Sequence, residues 1–359
     1  LGGGTFDTTV IRLEGGNIEV VCTGGDHRLG GADWDERLLA YLIEEFQSRH
    51  PDAGDPRDDV NLYQELNTAS EDIKRALSTA QKRPQRVAYG GATAVIEVTR
   101  ESFEDRTRDL LDRTIMLTSN TLETARARGV SVFDEVILVG GATRMPAVAR
   151  ALGDLVGREP RMHDPDLAVA KGAARYGMEE QYRRLVQEGE TVKAAALARN
   201  FTPEERAHIQ ARSIVTVAPR GFGVRIVENA RVSLDRKVID HLIHANDQLP
   251  ATRQQTYYTI WENQESVVVE LFEQKGSIES REVDDNDLVI GGEVTQIPPL
   301  PGNSPIEVRF DMDKNGTLNV VATEPRSGRR LHLEAQVGTM TQEQVERSRN
   351  ELAWLTVSS

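Results

Sequence analysis

Leu1-Gly2-Gly3-Gly4-Thr5-Phe6-Asp7 sets three consecutive glycines before a hydroxyl and a carboxylate. Without Cβ atoms the backbone can approach a ligand closely and turn successive N–H groups toward an anion, a geometry that cradles phosphate. Thr5 adds a hydroxyl, and Asp7 is placed to hold a metal ion or its water. An ordinary glycine turn would use the same residues, so this segment alone leaves both readings open. Glu71, Lys74, Arg75 and Ser78 recur at i, i+3, i+4 and i+7. That spacing places all four on one helical stripe, a mixed polar face able to meet a nucleoside. Taken alone, such a stripe is more often a solvated face with one i,i+4 ion pair.

A third candidate, Val139-Gly140-Gly141-Ala142-Thr143-Arg144-Met145-Pro146, follows the apolar run Val136-Ile137-Leu138-Val139. The run reads as a strand buried on both faces of a sheet. Ligands bind beyond the carboxyl ends of such strands, where glycines admit a base or ribose and Arg144 can stack on a ring. A close strand-to-helix turn without a ligand would look the same. Asp164-Pro165-Asp166 then opens a helix of small residues (Ala168, Ala170, Gly172, Ala173 and Ala174) suited to close packing.

Two patterns are rejected. Asp311-x-Asp313-x-Asn315-Gly316 opens like a calcium loop, but Ala322 holds the twelfth position where a bidentate Glu is required. His241 and His244 stand three apart with no acidic or cysteine partner in view, and the lone Cys22 lies in an apolar strand. Neither supports a metal site or a nucleophilic triad.

The elements that must position these residues change character along the chain. Residues 1–177 alternate strand and helix signals: a hairpin through Gly15-Gly16, a helix from Asp33 to Phe46, a loop over 51–59, and helices near 62–80 and 101–128 about a strand at 94–98. Residues 178–212 are charged, Ala-rich and helical, with Thr202-Pro203-Glu204-Glu205 as a capping box. From 213 to 338 apolar residues alternate, as in Ile306, Val308, Phe310 and Met312, with turns at Asn315-Gly316 and Ser327-Gly328. This half reads as an antiparallel β-sandwich. Thr341 with Gln344 caps a last helix over 339–359.

With 359 residues and a hydrophobic fraction of 38%, the chain has the length for two cores and the composition of a globular protein. A net charge of −14 argues against nucleic acid or an anionic membrane as partner. No run reaches the ~18 apolar residues of a membrane span. A single cysteine fits a reducing, cytoplasmic setting. The 36 arginines against 7 lysines suggest a bacterial source, and Leu1 inside a glycine turn suggests a chain cut from a longer one.

In order, these segments resemble the seventy-kilodalton heat-shock (DnaK-type) chaperone family. The match runs through Leu-Gly-Gly-Gly-Thr-Phe-Asp at 1–7, Leu29-Gly30-Gly31-Ala32-Asp33-Trp34-Asp35, Glu71-x-x-Lys74-Arg75-x-x-Ser78, the segment 136–146, and Asp164-Pro165-Asp166-Leu167-Ala168-Val169-Ala170. Leu242-Ile243-x-x-Asn246, Asn263-Gln264, Phe310-Asp311-Met312-Asp313 and Asn315-Gly316 extend it more loosely. The resemblance implies the second lobe of an actin-like ATPase over 1–177, a peptide-binding β-sandwich over 213–338 and the first lid helix over 339–359; the charged helical linker between them, 178–212, is read from composition.

Carried over by resemblance, Gly2, Gly3, Gly4, Thr5 and Gly31 would contact the phosphates of ATP or ADP, with Asp7 near Mg2+. Glu71, Lys74, Arg75 and Ser78 would clasp adenosine from one side; Gly140, Gly141, Arg144 and Asp166 would do so from the other. Val224, Tyr258, Val267 and Val269 match positions lining the peptide cleft, and Val227 and Trp261 match the pair arching over the bound strand. Unfolded polypeptides, J-domain co-chaperones and nucleotide exchange factors are the partners implied.

The family's first phosphate segment and catalytic residues match nothing here, and its leucine-rich linker is replaced by 178–212 and Ser213-Ile214-Val215-Thr216-Val217-Ala218-Pro219. About half of a phosphate-transfer cage is present, so no catalytic residue is assigned. The expected function is ATP-controlled gripping of extended hydrophobic polypeptide. The alternatives are a peptide-binding module without nucleotide control, and an actin-like small-molecule kinase, which would need substrate carboxylates not found here.

Overall fold

A computed structural model describes residues 1–212, 214–229 and 233–336. The helix expected over 339–359 lies outside the described residues. The chain divides into two compact units, one of Leu1–Val10 with Gly24–Arg212, the other of Ile11–Thr23 with the described residues from Ile214 onward.

In the first part of the chain, β1 (Phe6–Glu14) and β2 (Asn17–Asp26) are joined by Gly15 and Gly16 at φ 56° and 86°, in the left-handed region that favours glycine. α1 (Gly31–Arg49) buries Trp34, Leu38, Leu39, Leu42, Ile43 and Phe46, the face its periodicity predicts. Its start is fixed by Asp33, whose Oδ2 accepts the Gly30 N–H at 2.7 Å. α2 (Val60–Leu77) is capped by Asp59 and buries Leu66, Ser70, Ile73 and Leu77 against the same core. That buried face turns the opposite stripe, with Glu71 and Arg75, outward.

β3 (Lys82–Tyr89) and β4 (Ala92–Thr99) form an antiparallel ribbon. β4 contains the strand expected at 94–98, whereas β3 has no strand signature because Lys82-Arg83-Pro84 carries charge and a proline; a two-stranded ribbon admits proline on an edge strand. The helix expected over 101–128 is two, α3 (Arg100–Arg106) and α4 (Arg108–Ala127), broken at Thr107.

β5 is only Ile137–Leu138, followed by α5 (Pro146–Val156) and paired in parallel with β6 (Arg161–Met162). The expectation of a strand buried on both faces is corrected: Leu138 is buried, whereas Ile137 is 56% exposed, because β5 lies in a two-stranded sheet with β6 alone. α6 (Ala168–Gln187) runs through residue 177 without a break. Ala170, Gly172, Ala173 and Ala174 are exposed rather than closely packed as expected, since no described element covers that turn of the helix. α7 (Thr191–Leu197) and α8 (Pro203–Ala211, capped by Thr202 with Glu205) fold back on the end of α6. Tyr182, Leu185, Ala194, Ala198, Phe201 and Ile209 make a small core of their own there. Glu179, buried, is held by Arg175 at 3.0 Å and Arg212 at 3.2 Å.

In the second unit β7 (Ile214–Val217) pairs in parallel with β2 at the hairpin tip, and Asn246 Oδ1 accepts the Thr23 N–H at 2.7 Å. β8 (Phe222–Asn229), β9 (Ser233–Ile243), β10 (Gln248–Leu249), β11 (Ala251–Tyr258), β12 (Val267–Gln274), β13 (Asn286–Val294), β14 (Pro305–Met312), β15 (Thr317–Thr323) and β16 (Arg330–Gln336) follow. β10 pairs with β7, and the rest form two four-stranded antiparallel sheets, β13-β12-β8-β9 and β11-β14-β15-β16. Inward residues of both sheets, among them Phe222, Leu271, Phe310 and Val320, share one apolar cluster. Tyr257 on β11 donates its hydroxyl to Asp240 on β9 at 2.8 Å, and burial pushes that phenol's pKa well up.

Two sequence rejections meet different outcomes. The calcium-like segment is a hairpin turn in which Asp313 Oδ1 accepts the N–H groups of Asn315 and Thr317. The histidines do have an acidic neighbour: Glu279 lies 2.9 Å from His244 Nδ1 and 3.8 Å from the buried His241 Nδ1. It is 35 residues away from His244, brought there by the β12–β13 connection, which spacing could not show. No group of three or more His, Cys, Asp or Glu among the described residues could hold a metal.

Glu324 closes the β15–β16 turn, accepting the Arg326 N–H at 2.8 Å, the Ser327 N–H at 2.6 Å and the Ser327 hydroxyl. Burial alone would raise its pKa, but these hydrogen bonds carry it below the ordinary glutamate value. A depressed carboxyl stabilises the fold above its unfolded pKa of about 4.3, and that stabilisation is lost as pH falls through the folded value. Glu324→Gln is therefore expected to cost about 1.5 kcal/mol at pH 7, the lower end for hydrogen bonds to a charged group. Thermal melts from pH 7 to 3 should show the variant and the unchanged chain converging at the acid end; a constant gap would exclude this account.

Candidate nucleotide site

Three glycine turns meet at the N-terminus of α1. Gly31 N–H donates to Gly2 O at 2.8 Å and Ala32 N–H to Gly3 O at 2.8 Å, tying the first turn of α1 to the segment 2–4. The Leu1 amino nitrogen donates to Val139 O at 2.9 Å, and Gly140 N–H donates to Pro165 O at 2.8 Å. The contacts are backbone on backbone, so side chains are excluded. A Cβ on Gly30 would lie 2.5 Å from Gly3 O and from Gly4 N and Cα. Gly140 has φ 96°, and a Cβ there would overlap Leu1 O.

The N–H groups of Gly3 and Gly4 donate to no atom of the described residues, and a Cβ on either would meet nothing within 4 Å. Successive free N–H groups in an open turn fit an anion. Thr5 Oγ1 donates to Asp7 Oδ2 at 3.1 Å, so hydroxyl and carboxylate stand together at the exposed end of the turn.

Lys74 reaches across from α2. Its Nζ donates to Gly31 O at 2.8 Å and to Asp35 Oδ2 at 2.5 Å. Glu71 and Arg75, one turn apart on the exposed stripe, pair at 2.6 Å, and Ser78 Oγ donates to Lys74 O at 3.3 Å. The stripe is thus a solvated i,i+4 pair at Glu71 and Arg75 and an inward-reaching cation at Lys74. Beyond the third turn, Arg144 pairs with Asp166 at 2.6 Å, and Asp166 Oδ1 lies 3.5 Å from where a Gly141 Cβ would be. The structure therefore connects Gly2–Gly4 to Gly31, Gly31 to Lys74, and Gly140–Gly141 to the Pro165–Asp166 segment. Asp35, part of the Leu29–Asp35 segment, is the added member through its contact with Lys74. Its partner lies 39 residues on, at a distance no local spacing rule reaches.

The residues proposed for peptide divide differently. Val224 and Val269 are buried in the cluster shared by the two sheets, and Val267 is half-buried against it. Tyr258 is 57% exposed on the opposite face of β11; strand alternation gives the inward place to Tyr257. Val227 lies on β8 with parity opposite to Val224, beside an irregularity in the β8–β9 register. Trp261 is 57% exposed in a turn held by Gln264, whose Oε1 accepts the N–H groups of Ile260 and Trp261.

A family model described as Hsp70 protein matches residues 1–179 and 222–354. The chain belongs to the Hsp70 family. It is 33% identical over 354 residues to heat shock 70 kDa protein 2 of Paracoccidioides lutzii, covering 97% of this chain and 49% of that protein. It is 33% identical over 336 residues to the chaperone protein DnaK of Halobacterium salinarum, covering 91% of this chain and 47% of that one. With the heat shock 70 kDa protein of Penicillium citrinum the figures are 32% over 353 residues, 97% and 63%. The chain spans about half the length of the first two Hsp70 relatives. Residues 180–221, outside the Hsp70 match, contain α7, α8 and β7, the segment whose helices build their own small core. No helix among the described residues is long and apolar enough to cross a membrane.

Proposed function

We propose that this chain is part of an ATP-dependent chaperone, pairing the second lobe of an actin-like nucleotide-binding domain with a β-sandwich that grips extended hydrophobic polypeptide. The observation that carries the reading is the open turn at Gly3 and Gly4, with two unspent N–H groups, braced against the N-terminus of α1. A helix N-terminus favours negative charge, and the turn supplies donors for a phosphate chain. Gly2, Gly3, Gly4, Thr5 and Gly31 would hold the phosphates of ATP or ADP. Asp7 would reach Mg2+ or its waters, the single-carboxylate manner in which that ion is held beside phosphates. Glu71, Lys74, Arg75 and Ser78 would meet the ribose and base from α2, with Gly140, Gly141, Arg144 and Asp166 opposite. Peptide would enter beside Val267 in the β-sandwich.

Arg144 supplies the test. Its guanidinium is held at one edge by Asp166, and both side chains are exposed, so a planar face remains available to an adenine ring. Arg144→Ala is expected to weaken ADP and ATP alike, by about 1–2 kcal/mol for a lost stacking cation. Saturation-transfer NMR competition or calorimetry reads this directly. Unchanged affinity for both nucleotides would return the Gly140–Arg144 turn to a purely structural role.

A further inference from the structure

The Asp35–Lys74 pair has a feature that packing alone does not require. Both side chains are largely buried, at 14% and 12% exposure. Lys74 spends two of its three N–H donors on Gly31 O and Asp35 Oδ2, and the third has no partner among the described residues. Asp35 Oδ1 is buried without a hydrogen-bond partner. Leaving a buried carboxylate oxygen bare is costly, and burial pushes the Asp35 carboxyl's pKa up against the pull of Lys74. A brace serving stability alone would be better built from apolar side chains of similar volume.

We infer that Asp35 is a positioning residue for nucleotide binding: its carboxylate fixes the Lys74 ammonium against Gly31 O, so that the phosphate turn and the ribose-facing helix α2 are held at one spacing and the third N–H of Lys74 is left for a ribose oxygen. The inference rests on the nucleotide reading of the site and adds the group that sets its geometry. The chain of contacts is continuous. Asp35 holds Lys74, Lys74 holds Gly31 O, and Gly31 N–H and Ala32 N–H hold Gly2 O and Gly3 O. The fit is also tight, since a Cβ at Gly31 would come within 3.0 Å of Lys74 Nζ and 3.3 Å of Ala142 Cβ. The fields of Glu71 and Arg75, which pair with each other in solvent, act on the same carboxylate with opposite signs, and Lys74 is its direct partner.

The test is a double-mutant cycle on the whole chain with two readouts. The first is the reactivity of Lys74 toward an amine-acylating ester, followed by mass spectrometry without nucleotide. Asp35→Asn is expected to raise it several-fold, and Asp35→Glu to leave it near the original rate. Unchanged reactivity in Asp35→Asn would overturn the inference. The second is ADP affinity, by saturation-transfer NMR titration. Asp35→Asn is expected to weaken ADP about tenfold in the unchanged background and not at all in a Lys74→Met background, because the aspartate acts only through the lysine. Equal losses in both backgrounds would show general loosening of the fold and overturn the inference. Absence of ADP binding by the unchanged chain would defeat the nucleotide reading and the ribose end of this inference together. A reactivity change in that case would leave a brace with no nucleotide role.

Discussion

Gly30→Val is expected to destabilise the first unit by at least the upper end of the roughly 1–3 kcal/mol that overpacking costs. The reason is where the new atoms would go. A Cβ at Gly30 lies 2.5 Å from Gly3 O, Gly4 N and Gly4 Cα, all backbone atoms without a rotamer to yield. The two hydrogen bonds from Gly31 and Ala32 to Gly2 and Gly3 would have to open to make room. For a unit of this size a loss of 3 kcal/mol lowers the melting temperature by about 6–12 °C. Gly3→Val is the matched contrast, since its Cβ would meet nothing within 4 Å. It should leave the melting temperature within about 2 °C, yet obstruct any phosphate approaching the free N–H groups. Calorimetric melts of both variants, with ADP titrations, separate the two roles. Equal melting temperatures for Gly30→Val and the unchanged chain would mean that the turn is not closed as described. A Gly3→Val chain that binds ADP normally would remove the phosphate from this turn.

The second large effect is expected in the β-rich unit. Val267 is half-buried at the border of the cluster, and Val269 is 5% exposed inside it. Both face the same side of β12, and Val268, 61% exposed, faces the other. Val269→Phe should overpack the cluster and cost about 1–3 kcal/mol. Val267→Phe should leave the melting temperature close to that of the unchanged chain and abolish binding of a hydrophobic heptapeptide, because the ring would fill the space a peptide side chain needs. Fluorescence anisotropy with a labelled peptide, beside a thermal melt, reads both outcomes. Intact peptide affinity with a large drop in melting temperature for Val267→Phe would make Val267 ordinary core and place any cleft elsewhere.

Much of the local structure was legible because it is written in short-range chemistry. The apolar positions of α1, the Asn315-Gly316 and Ser327-Gly328 turns, and the Thr202–Glu205 cap need only neighbours within a few residues. The misses share a cause. β3 was hidden by Pro84, whose tolerance depends on the ribbon having a single partner strand. The run at 136–139 looked doubly buried, but burial is a property of what lies on each face, and Ile137 is open on one. Tyr258 and Tyr257 are equally good aromatic candidates in a list of residues; only the β11–β14 register turns one inward.

The sequence by itself determined the family, the three glycine turns and the residue types a nucleotide site would use, since glycine without a Cβ and charge at fixed helical spacing are local facts. Tertiary structure alone decided which of those residues meet. It turned Lys74 inward to Gly31 and Asp35 while leaving Glu71 and Arg75 in solvent, because the packing of Leu66, Ile73 and Leu77 fixes the rotation of α2 about its axis. It gave His244 an acidic partner 35 residues away, and it folded residues 180–211 into helices with a core of their own. Contacts across such separations arise from how faces bury against one another, and no spacing along one chain encodes them.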